Sequence, residues 1–513
     1  MTARADNAAS HFVDRHVVEG RGDKTAYREA GGSRSLSYAA LADGASRLAG
    51  ALTRAGIRPE ERAAMLVLDT IEFPQIFFGA LKAGVIPVPL NTLLAAPVYD
   101  AILRDSRAAI LFVSAPLLDT IAPVLADNPH LRQVVVIGEV AVPDGAQGYT
   151  GFADGAELSE TAPASPDEVA FWLYSSGSTG APKGVHHVHS SLRATADTYG
   201  AEVLGIREED TVLSAAKLFF AYGLGNAMTF PLSVGATSIL FPGRPTPGDM
   251  LSVIRDEQPT IFCGVPTLYA AMVAEMDRAG VPASSLRRCI SAGEALPEDI
   301  GTRWHRHTGV HILDGVGSTE MLHIFLSNRA DDVVYGTSGL PVPGYAVRLV
   351  NEAGDEVGDG EVGELLVNGA SAAGGYWNQR AKSRATFEGV WTRTGDKYER
   401  RPDGRLVYCG RTDDMFKVSG IWVSPFEVEQ ALTSHKAVLE AAVVAARDAD
   451  GLEKPKAFIV LQGASEEGLT EELREHVKTR IGKWKYPRWI EVVEDLPKTA
   501  TGKIQRFKLR EQS

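Results

Sequence analysis

The sequence predicts an α/β protein with a large N-terminal domain of parallel or mixed sheets covered by helices, followed by a small C-terminal α+β lid domain. At 513 residues the chain is long enough for roughly two to four domains. Apolar strand-like runs alternate with helix-like segments early in the chain, which is typical of a parallel sheet with covering helices. From Asp414 onward the pattern changes to that of a small α+β unit. We therefore place the two domains at residues 1–412 and 413–513.

The elements of the large domain follow one another from the N-terminus. Apolar residues at Ala8, Phe12 and Val17 have the spacing of an amphipathic helix, and Thr25 to Tyr27 with Leu36 to Tyr38 predict a hairpin. A helix is predicted at Ile71 to Ala83, between strands predicted at Ala63 to Val67, Ile86 to Val88, Ala109 to Val113 and Val134 to Ile137. These elements form the predicted scaffold.

The C-terminal unit has its own set of predicted elements. Strands are predicted at Val438 to Ala445, Lys456 to Leu461 and Trp489 to Val493, with a helix at Glu471 to Ile481. About 100 residues are sufficient for a separate domain. The sequence therefore predicts a second, smaller folding unit.

Composition and charge exclude several classes of protein. A formal net charge of −13 and the absence of any basic run argue against nucleic-acid binding. No apolar window of about 18 residues occurs, so we expect no membrane span. The charged N-terminal segment lacks the pattern of a signal peptide. Cys263, Cys289 and Cys409 lack the spacing of a zinc site or a disulfide framework, which favours a reducing cytoplasm.

The segment from Tyr174 to Val185 predicts a phosphate-binding loop that follows a buried strand. Its glycines allow backbone N–H groups to approach an anion, while hydroxyls and a lysine add donors and charge. A P-loop is excluded because Pro182 stands where its second glycine belongs and Gly184 where its Ser or Thr belongs. Taken alone, the segment also fits a solvated linker. The candidate contacts are Ser175, Ser176, Gly177, Ser178, Thr179, Gly180 and Lys183.

Two further stretches carry candidate residues. Three histidines between positions 186 and 189 suggest a metal site, but no acidic or cysteine partner stands at ligand spacing. The stretch Lys217 to Asn226 combines aromatic residues with glycines. Gly223 and Gly225 are poor helix formers, so this stretch fits a wall against a flat ligand, although aromatic stripes more often belong to a core.

Five motifs follow in a fixed order: Ser291 to Pro297, Asp314 to Glu320, Trp391 to Asp396, Arg411 to Gly420 and Pro497 to Arg506. With the phosphate loop, they closely resemble the motifs of the acyl-adenylate-forming superfamily. That superfamily includes acyl-CoA ligases, peptide-synthetase adenylation domains and luciferases. The resemblance extends over essentially the whole chain and is greatest to benzoate and hydroxybenzoate-CoA ligases.

The resemblance implies a nucleotide site. Thr319 is expected at the α-phosphate, Glu320 at Mg²⁺ and Asp314 at the adenine amino group. Lys503 is expected to be the catalytic lysine. Other implied contacts to ATP or AMP are Gly293, Glu294, Ala295, Gly315, Asp396 and Arg411, the last two at the ribose. The chain departs from the pattern at Val316, where the superfamily usually has a tyrosine that stacks on adenine.

The resemblance also implies an acyl pocket and a moving domain. Residues expected around the acyl group are Ala221, Tyr222, Gly223, His323 and Ile324. Asp413 is expected to be the hinge and Gly420 to line the CoA tunnel. Domain rotation would exchange Lys503 for the CoA tunnel at a single active site.

We therefore predict an AMP-forming acid–thiol ligase that uses ATP, Mg²⁺ and coenzyme A in the activation of benzoate or a substituted benzoate for aromatic compound degradation. The alternatives are a ligase for 4-hydroxybenzoate or another carboxylate, and a stand-alone adenylation domain that loads a carrier protein. A luciferase-like oxygenase needs the same first step, but nothing further in the sequence favours it. A non-enzymatic relative is expected to lose Glu320 or Lys503, and both are present. The context of Lys503 also predicts a protein lysine acetyltransferase as a regulatory partner.

Overall fold

The computed structural model describes residues 6–32, 34–140, 142–176, 182–412, 414–418, 421–448, 452–463, 468–482, 485–498 and 504–511. Within these residues the predicted α/β class is confirmed. Several sheets with covering helices precede Asp414, and a smaller α+β unit follows it. The domain boundary after residue 412 stays a prediction.

The largest sheet has nine strands and is parallel in its centre. In spatial order its strands are Leu340–Pro341, Ile324–Ser327, Ile312–Gly317, Arg288–Ser291, Ile261–Gly264, Thr211–Ser214, Thr237–Leu240, Thr25–Glu29 and Ser35–Ser37. The two strands at one edge and the last strand at the other pair antiparallel. The carboxyl ends of the parallel strands therefore lie at one edge, the usual place for a ligand site in such sheets.

A second sheet is parallel throughout. Its strands are Ile86–Pro89, Arg62–Leu66, Ala108–Ser114, Gln133–Ile137 and Gln147–Gly148. Residues of Ala108–Ser114 are all buried, as expected for a central strand covered on both faces. The strands predicted from the sequence in this region are confirmed to within about two residues, the usual uncertainty of element ends.

Two further sheets of the chain before Asp414 are antiparallel. One contains Gly375–Tyr376, Pro182–Val188 and Val169–Ser176, and we call its last two strands the phosphate hairpin. The other contains Ala346–Val350, Val362–Asn368, Trp391–Arg400, Phe387–Glu388 and Leu406–Arg411. The phosphate loop therefore connects two antiparallel strands.

The C-terminal unit is built on a three-stranded sheet of Val438–Arg447, Glu453–Leu461 and Trp489–Val492. A short antiparallel pair, Phe416–Val418 and Ile421–Val423, precedes it. The helix predicted at Glu471 to Ile481 is confirmed as Leu469–Ile481. A separate buried cluster around Val443, Ile459 and Leu473 gives this unit a core of its own.

Helices cover the sheets. The α-helices are Arg15–Val18, Tyr38–Arg54, Glu72–Lys82, Ala96–Ser106, Leu118–Ile121, Tyr149–Ala153, His189–Thr195, Ala221–Leu224, Phe230–Val234, Pro247–Glu257, Pro266–Ala279, Glu298–Thr308, Arg380–Thr386, Pro425–Thr433, Leu469–Ile481 and Arg506–Arg510. Wider π-helical turns occupy Ser10–Asp14, Ala196–Leu204 and Gly225–Thr229, and 3₁₀ turns occupy Ala115–Leu117 and Ala122–Val124. Ser37 illustrates the local logic, because its side chain accepts a hydrogen bond from the backbone N–H of Ala40 and caps the helix that follows.

Helix length and hydropathy bear on the membrane prediction. Of the helices in the described ranges, none combines the length and the apolar character needed to cross a bilayer.

Candidate active site

The phosphate hairpin brings Lys183 opposite Ser175. The two residues are partners in the antiparallel register, and Ser175 Oγ is buried without a hydrogen-bond partner in the described chain. Gly177, Ser178, Thr179 and Gly180 lie outside the described residues, as does the side chain of Ser176. Lys183 and the Ser175 hydroxyl thus stand at the base of the predicted phosphate loop.

Lys183 and Tyr376 both contact the carboxylate of Glu320. Lys183 Nζ lies 3.3 Å from Glu320 Oε1, and the Tyr376 hydroxyl donates to the same oxygen at 2.8 Å. Burial alone would raise the pKa of Glu320, but the Lys183 ammonium and the Tyr376 hydroxyl outweigh it and hold this pKa below its usual range. Glu320 is therefore ionised at neutral pH. Tyr376 was missed as a site residue by the sequence analysis.

The backbone of Thr319 is held in place by the side chain of His187. The Nε2 atom of His187 lies 2.7 Å from the Thr319 carbonyl oxygen. Burial lowers the pKa of His187 to about 4, so the ring is neutral and donates Nε2–H to that carbonyl. Leu322 takes a left-handed backbone conformation with φ of 66°. This strained turn lies between the phosphate-side residues Thr319 and Glu320 and the acyl-side residue His323.

Asp314 lies at the carboxyl end of a central strand, beside Ser291 of the neighbouring strand. Its Oδ2 accepts a hydrogen bond from the backbone N–H of Leu296 at 3.3 Å, whereas the buried Oδ1 makes no hydrogen bond of good geometry with the described residues, although Ser291 and the backbone of Gly315 lie beside the carboxyl. Burial raises the pKa of Asp314 to about 8. The unpaired oxygen suits an amino-group donor such as that of adenine.

The turn predicted at the adenine face follows the strand Arg288–Ser291 directly. Gly293 has φ of 102°, which an L-residue with a side chain rarely adopts. Gly293 is exposed, and Glu294 and Ala295 are partly exposed. The turn is therefore open to a ligand at the same edge as Asp314. Gly315, whose added Cβ would meet Ile324 at 2.9 Å, is required by close packing of two strands.

The two predicted ribose contacts are partners across neighbouring strands. Asp396 stands opposite Arg411, and Arg411 Nη1 lies 3.0 Å from Asp396 Oδ1. The same guanidinium also donates to the carbonyl of Thr394 at 3.0 Å. The structure thus brings both residues together, with Arg411 holding the Asp396 carboxylate in place.

In the predicted acyl pocket, Tyr222 contacts backbone carbonyls and His323 packs against aromatic rings. The Tyr222 hydroxyl lies 3.1 Å from the Gly264 carbonyl and 3.2 Å from that of Ile290. His323 packs at a ring-centroid distance of 5.6 Å from Tyr222 and 4.5 Å from Phe230. Burial lowers the pKa of His323 to about 3, and the nearby backbone of Tyr222 offsets this only in part. His323 is therefore uncharged, and its flat ring is suited to form part of the wall of the predicted acyl pocket.

The remaining acyl-site candidates divide into exposed and packed residues. Ala221 is partly exposed at the start of a short helix, whereas Ile324 is buried at the start of a strand. Gly223 lies inside the helix Ala221–Leu224, where an added Cβ would collide with the backbone of Lys217. The sequence argument that this glycine avoids a helix is wrong. Gly223 is explained by a close approach of two backbones.

Two buried polar residues beside this region were not anticipated. Asn226 is fully buried, and neither of its amide atoms makes a hydrogen bond of good geometry with the described residues, although the amide lies beside Tyr222. The hydroxyl of Tyr199 is likewise buried without a hydrogen bond of good geometry in the described chain, although it lies beside Ser327, and its ring lies 5.0 Å from that of His323. Buried polar atoms without partners are costly and often mark a ligand site. No motif in the sequence marked them.

The three histidines after the phosphate loop do not form a metal site. His186 stacks on Trp172 at 4.5 Å, and His189 accepts a hydrogen bond from the backbone of Ala8. In the parts of the chain that the structure describes, no three His, Cys, Asp or Glu residues are grouped as metal ligands. One carboxylate is nevertheless enough for Mg²⁺, which usually takes one or two carboxylates together with phosphate oxygens. The ionised Glu320 fits that role.

Lys503, Asp413 and Gly420 lie outside the described residues, and their roles stay predictions. The structure describes the residues that flank the segment 499–503, which contains Lys503. The Gln505 backbone donates to the Pro497 carbonyl at 2.7 Å, and Arg506 forms a two-point ion pair with Glu429 at 3.0 and 2.7 Å. The ends of the segment that carries Lys503 are therefore held together.

Comparisons with known proteins find matches over nearly the whole chain. A sequence profile described as AMP-binding enzyme matches residues 14–377, and one described as AMP-binding enzyme C-terminal domain matches residues 427–503. The chain is 54% identical to a 4-hydroxybenzoate–CoA/benzoate–CoA ligase of Rhodopseudomonas palustris, over 100% of this chain and 95% of the relative. It is 55% identical to a benzoate–CoA ligase of Thauera aromatica, over 98% of this chain and 95% of the relative.

Solved structures of related proteins are similar over their whole length. A benzoate CoA ligase from Burkholderia xenovorans superposes with a TM-score of 0.91 at 50% identity, covering 98% of this chain and 99% of that one. An anthranilate CoA ligase in complex with anthranoyl-AMP superposes with a TM-score of 0.95 at 43% identity, covering 99% and 97%.

Proposed function

The chain belongs to the family of AMP-binding enzymes, and from that premise we propose that it is an ATP-dependent aryl-CoA ligase acting on benzoate or a small substituted benzoate. The products are aroyl-CoA, AMP and diphosphate. One observation carries the assignment of roles. The turn that holds Thr319 and Glu320 continues directly into His323 and Ile324, so a ring in the pocket has its carboxylate beside the phosphate site.

In the first half-reaction a carboxylate oxygen of the acid attacks the α-phosphorus of ATP, and diphosphate leaves. Catalysis of such a displacement consists mainly of positioning and of neutralising charge on the phosphoryl oxygens. We assign Lys183 and the phosphate loop to the phosphates, Thr319 to the α-phosphate and Lys503 to the developing charge. Bound Mg²⁺ supplies further neutralisation, with Glu320 as its protein ligand.

In the second half-reaction the thiol of coenzyme A attacks the acyl carbon, and AMP leaves. The proposal requires the C-terminal unit to turn about Asp413, so that Lys503 withdraws and Gly420 lines the path of the thiol. This is a hinge-type domain movement. Asp396 and Arg411 would hold the ribose through both steps, because they lie on strands that precede the hinge.

Substituted benzoates are a second candidate substrate class. Asn226 and Tyr199 present buried polar atoms next to His323 and Tyr222, and these atoms have no good hydrogen-bond partner in the described residues. A ring hydroxyl can both donate and accept a hydrogen bond. This observation supports hydroxybenzoates as substrates in addition to benzoate.

A kinetic scan of acids tests the proposal. Purified enzyme is given ATP, Mg²⁺, coenzyme A and one acid at a time, and formation of AMP and of the CoA thioester is measured. Benzoate and hydroxybenzoates should give far higher kcat/KM than acetate or octanoate, because a flat pocket closed by Tyr222 and His323 cannot hold a long chain. A best substrate that is acetate or a medium-chain fatty acid would refute the aromatic assignment.

Two aspects of cellular context are also part of the proposal. Acetylation of Lys503 would remove its charge and stop adenylation, so a protein lysine acetyltransferase is a proposed regulator. Incubation with acetyltransferase and acetyl-CoA should abolish adenylation, and mass spectrometry should find the acetyl group on Lys503. Loss of activity with modification only at other lysines would refute it. A cytoplasmic location is proposed from the cysteine spacing alone.

A further inference from the structure

We propose that Tyr376 is a positioning residue that keeps the Glu320 carboxylate aligned for Mg²⁺ while Lys183 transfers from that carboxylate to the phosphates of ATP. The inference rests on the proposed function. It assigns a role to a residue outside all the catalytic and binding assignments made above. It also gives a role to the contact between Lys183 and the predicted metal ligand.

The geometry of three side chains carries the inference. Lys183 Nζ and the Tyr376 hydroxyl both approach Glu320 Oε1, at 3.3 and 2.8 Å. Lys183 Nζ also lies 4.6 Å from the centre of the Tyr376 ring and 3.5 Å from its hydroxyl. Tyr376 therefore contacts both charged groups, with its ring face beside the ammonium and its hydroxyl on the carboxylate.

Charge balance requires a rearrangement when the nucleotide binds. Glu320 and Lys183 are largely buried, with side-chain exposures of 16% and 12%, so each charge needs a partner. ATP brings negative phosphates for Lys183, and Mg²⁺ brings positive charge for Glu320. Once Lys183 has moved to the phosphates, the Tyr376 hydroxyl is the described side-chain contact that still orients Glu320.

Tyr376 is itself held rigidly. Its strand pairs with Val185 of the phosphate hairpin, and its backbone N–H donates to Ser383 Oγ at 3.0 Å. Its ring lies 5.3 Å from that of Phe387. A ring fixed on the same sheet as Lys183 can act as a reference point for both partners.

Other charged groups face the same cluster. Burial, followed by the charge of Lys183, lowers the pKa of Lys382, which therefore lies within reach of the cluster. Arg411 contributes positive charge from the ribose side. Lys382 interacts with Glu320 through its charge, but no hydrogen bond joins these two side chains among those of the described residues.

The test compares binding of ATP with and without Mg²⁺ by isothermal titration calorimetry. Tyr376→Phe keeps the ring and removes the hydroxyl. We expect its affinity for ATP alone to stay within about twofold of the wild-type value, whereas the gain in affinity on adding Mg²⁺ should fall roughly 10- to 100-fold, as is common when a partner of a metal ligand is removed. Tyr376→Leu also removes the ring, and it should weaken binding of ATP alone.

A double-mutant cycle and a matched control make the result specific. In a Glu320→Gln background, Tyr376→Phe should cause no further loss of the Mg²⁺ effect. Tyr149→Phe removes another half-buried hydroxyl, which contacts Gln75 away from the site, and should leave ATP binding unchanged.

Two outcomes separate this inference from the proposed function. A Tyr376→Phe variant with the full wild-type gain from Mg²⁺ overturns the role of Tyr376 alone. Wild-type enzyme that fails to bind Mg²⁺ and ATP together overturns the proposed function as well. Loss of the Mg²⁺ effect that persists undiminished in the Glu320→Gln background would show that Tyr376 acts through another group, and the inference would fail.

Discussion

At the scale of single residues, Asp314 shows how burial prepares a site for its ligand. Burial raises the pKa of this carboxyl to about 8, so it is mostly protonated at neutral pH without nucleotide. Donation of a hydrogen bond by the adenine amino group would favour the ionised form. Burial of Asp314 therefore carries a cost in stability that the nucleotide can offset.

The sign of the resulting pH dependence follows from the raised pKa. Between the ordinary aspartate pKa near 4 and the folded value of about 8, the folded protein binds more protons at Asp314 than the unfolded chain does. The contribution of this group to stability is therefore complete at low pH and is lost as the pH rises toward 8. Asp314→Asn should remove it, because an amide does not titrate.

We accordingly expect the free energy of unfolding of the wild type to fall relative to that of Asp314→Asn between pH 5.5 and 7.5. The difference should approach about 1.4 kcal/mol per pH unit in the middle of this range. Urea unfolding of both proteins at several pH values measures it. Parallel pH profiles for the two proteins would show that Asp314 is ionised in the folded state.

At the scale of secondary-structure elements, the turn from Glu320 to Ile324 joins the proposed phosphate site to the proposed acyl pocket. His323→Ala and Ile324→Ala each remove part of the pocket wall while leaving the residues of the phosphate site in place. We expect both variants to accept ring substituents that the wild type rejects. Contacts of this size are worth about 1–3 kcal/mol, so kcat/KM for bulky benzoates should rise roughly 10- to 200-fold relative to benzoate.

Relative kcat/KM values for benzoate and for benzoates with large substituents measure this effect. Asn226→Leu provides a separate comparison, because it removes the polar amide while keeping a branched side chain of similar shape. It should lower the preference for 4-hydroxybenzoate without admitting bulkier rings. Unchanged substrate ratios in all three variants would place the acyl group elsewhere.

The short helix Ala221–Leu224 makes a second prediction at this scale. Gly223→Ala would push a methyl group into the Lys217 backbone, so it should destabilise the protein by about 1–3 kcal/mol. Gly248→Ala is the matched control, since an added Cβ there meets no atom within 4 Å inside another helix. The melting temperatures of the Gly223→Ala and Gly248→Ala variants, measured by thermal unfolding, test this prediction. Equal melting temperatures for the two variants would contradict the close backbone approach.

Sequence patterns predicted the elements better than the contacts between them. Alternation and apolar spacing located the strands around Met65 and Phe112 and the helix Leu469–Ile481. They could not show that the strand Gly375–Tyr376 pairs with the phosphate hairpin, because this strand is distant from the hairpin in sequence. Nor could they explain Gly223, whose requirement comes from another segment's backbone.

At the scale of the whole molecule, the proposed mechanism requires that the C-terminal unit contribute Lys503 to one half-reaction only. Lys503→Ala should lower formation of the acyl-adenylate by several orders of magnitude, because a charge contact made mainly in the transition state is lost. Synthetic benzoyl-AMP with coenzyme A should restore much of the thioester formation. Equal losses in both assays would contradict domain alternation.

The part of the candidate site that lies in sequence motifs was predicted from the sequence. Lys183, Thr319, Glu320, Asp314, Asp396 and Arg411 were named from local patterns, and the structure brings Lys183 to Glu320 and Arg411 to Asp396. Supporting residues from other segments, such as His187 at Thr319 and Tyr376 at Glu320, were not predicted as site residues, because a local pattern does not show which distant group a side chain contacts. Their positions follow only from the tertiary fold.

We propose above all that this chain activates an aromatic acid as an acyl-adenylate before coenzyme A takes part. Exchange of labelled diphosphate into ATP, measured without coenzyme A, tests it most directly. We expect exchange that requires benzoate and Mg²⁺, that is far slower with acetate, and that is lost in Lys503→Ala. Absence of benzoate-dependent exchange in an enzyme that still forms benzoyl-CoA when coenzyme A is added would contradict it.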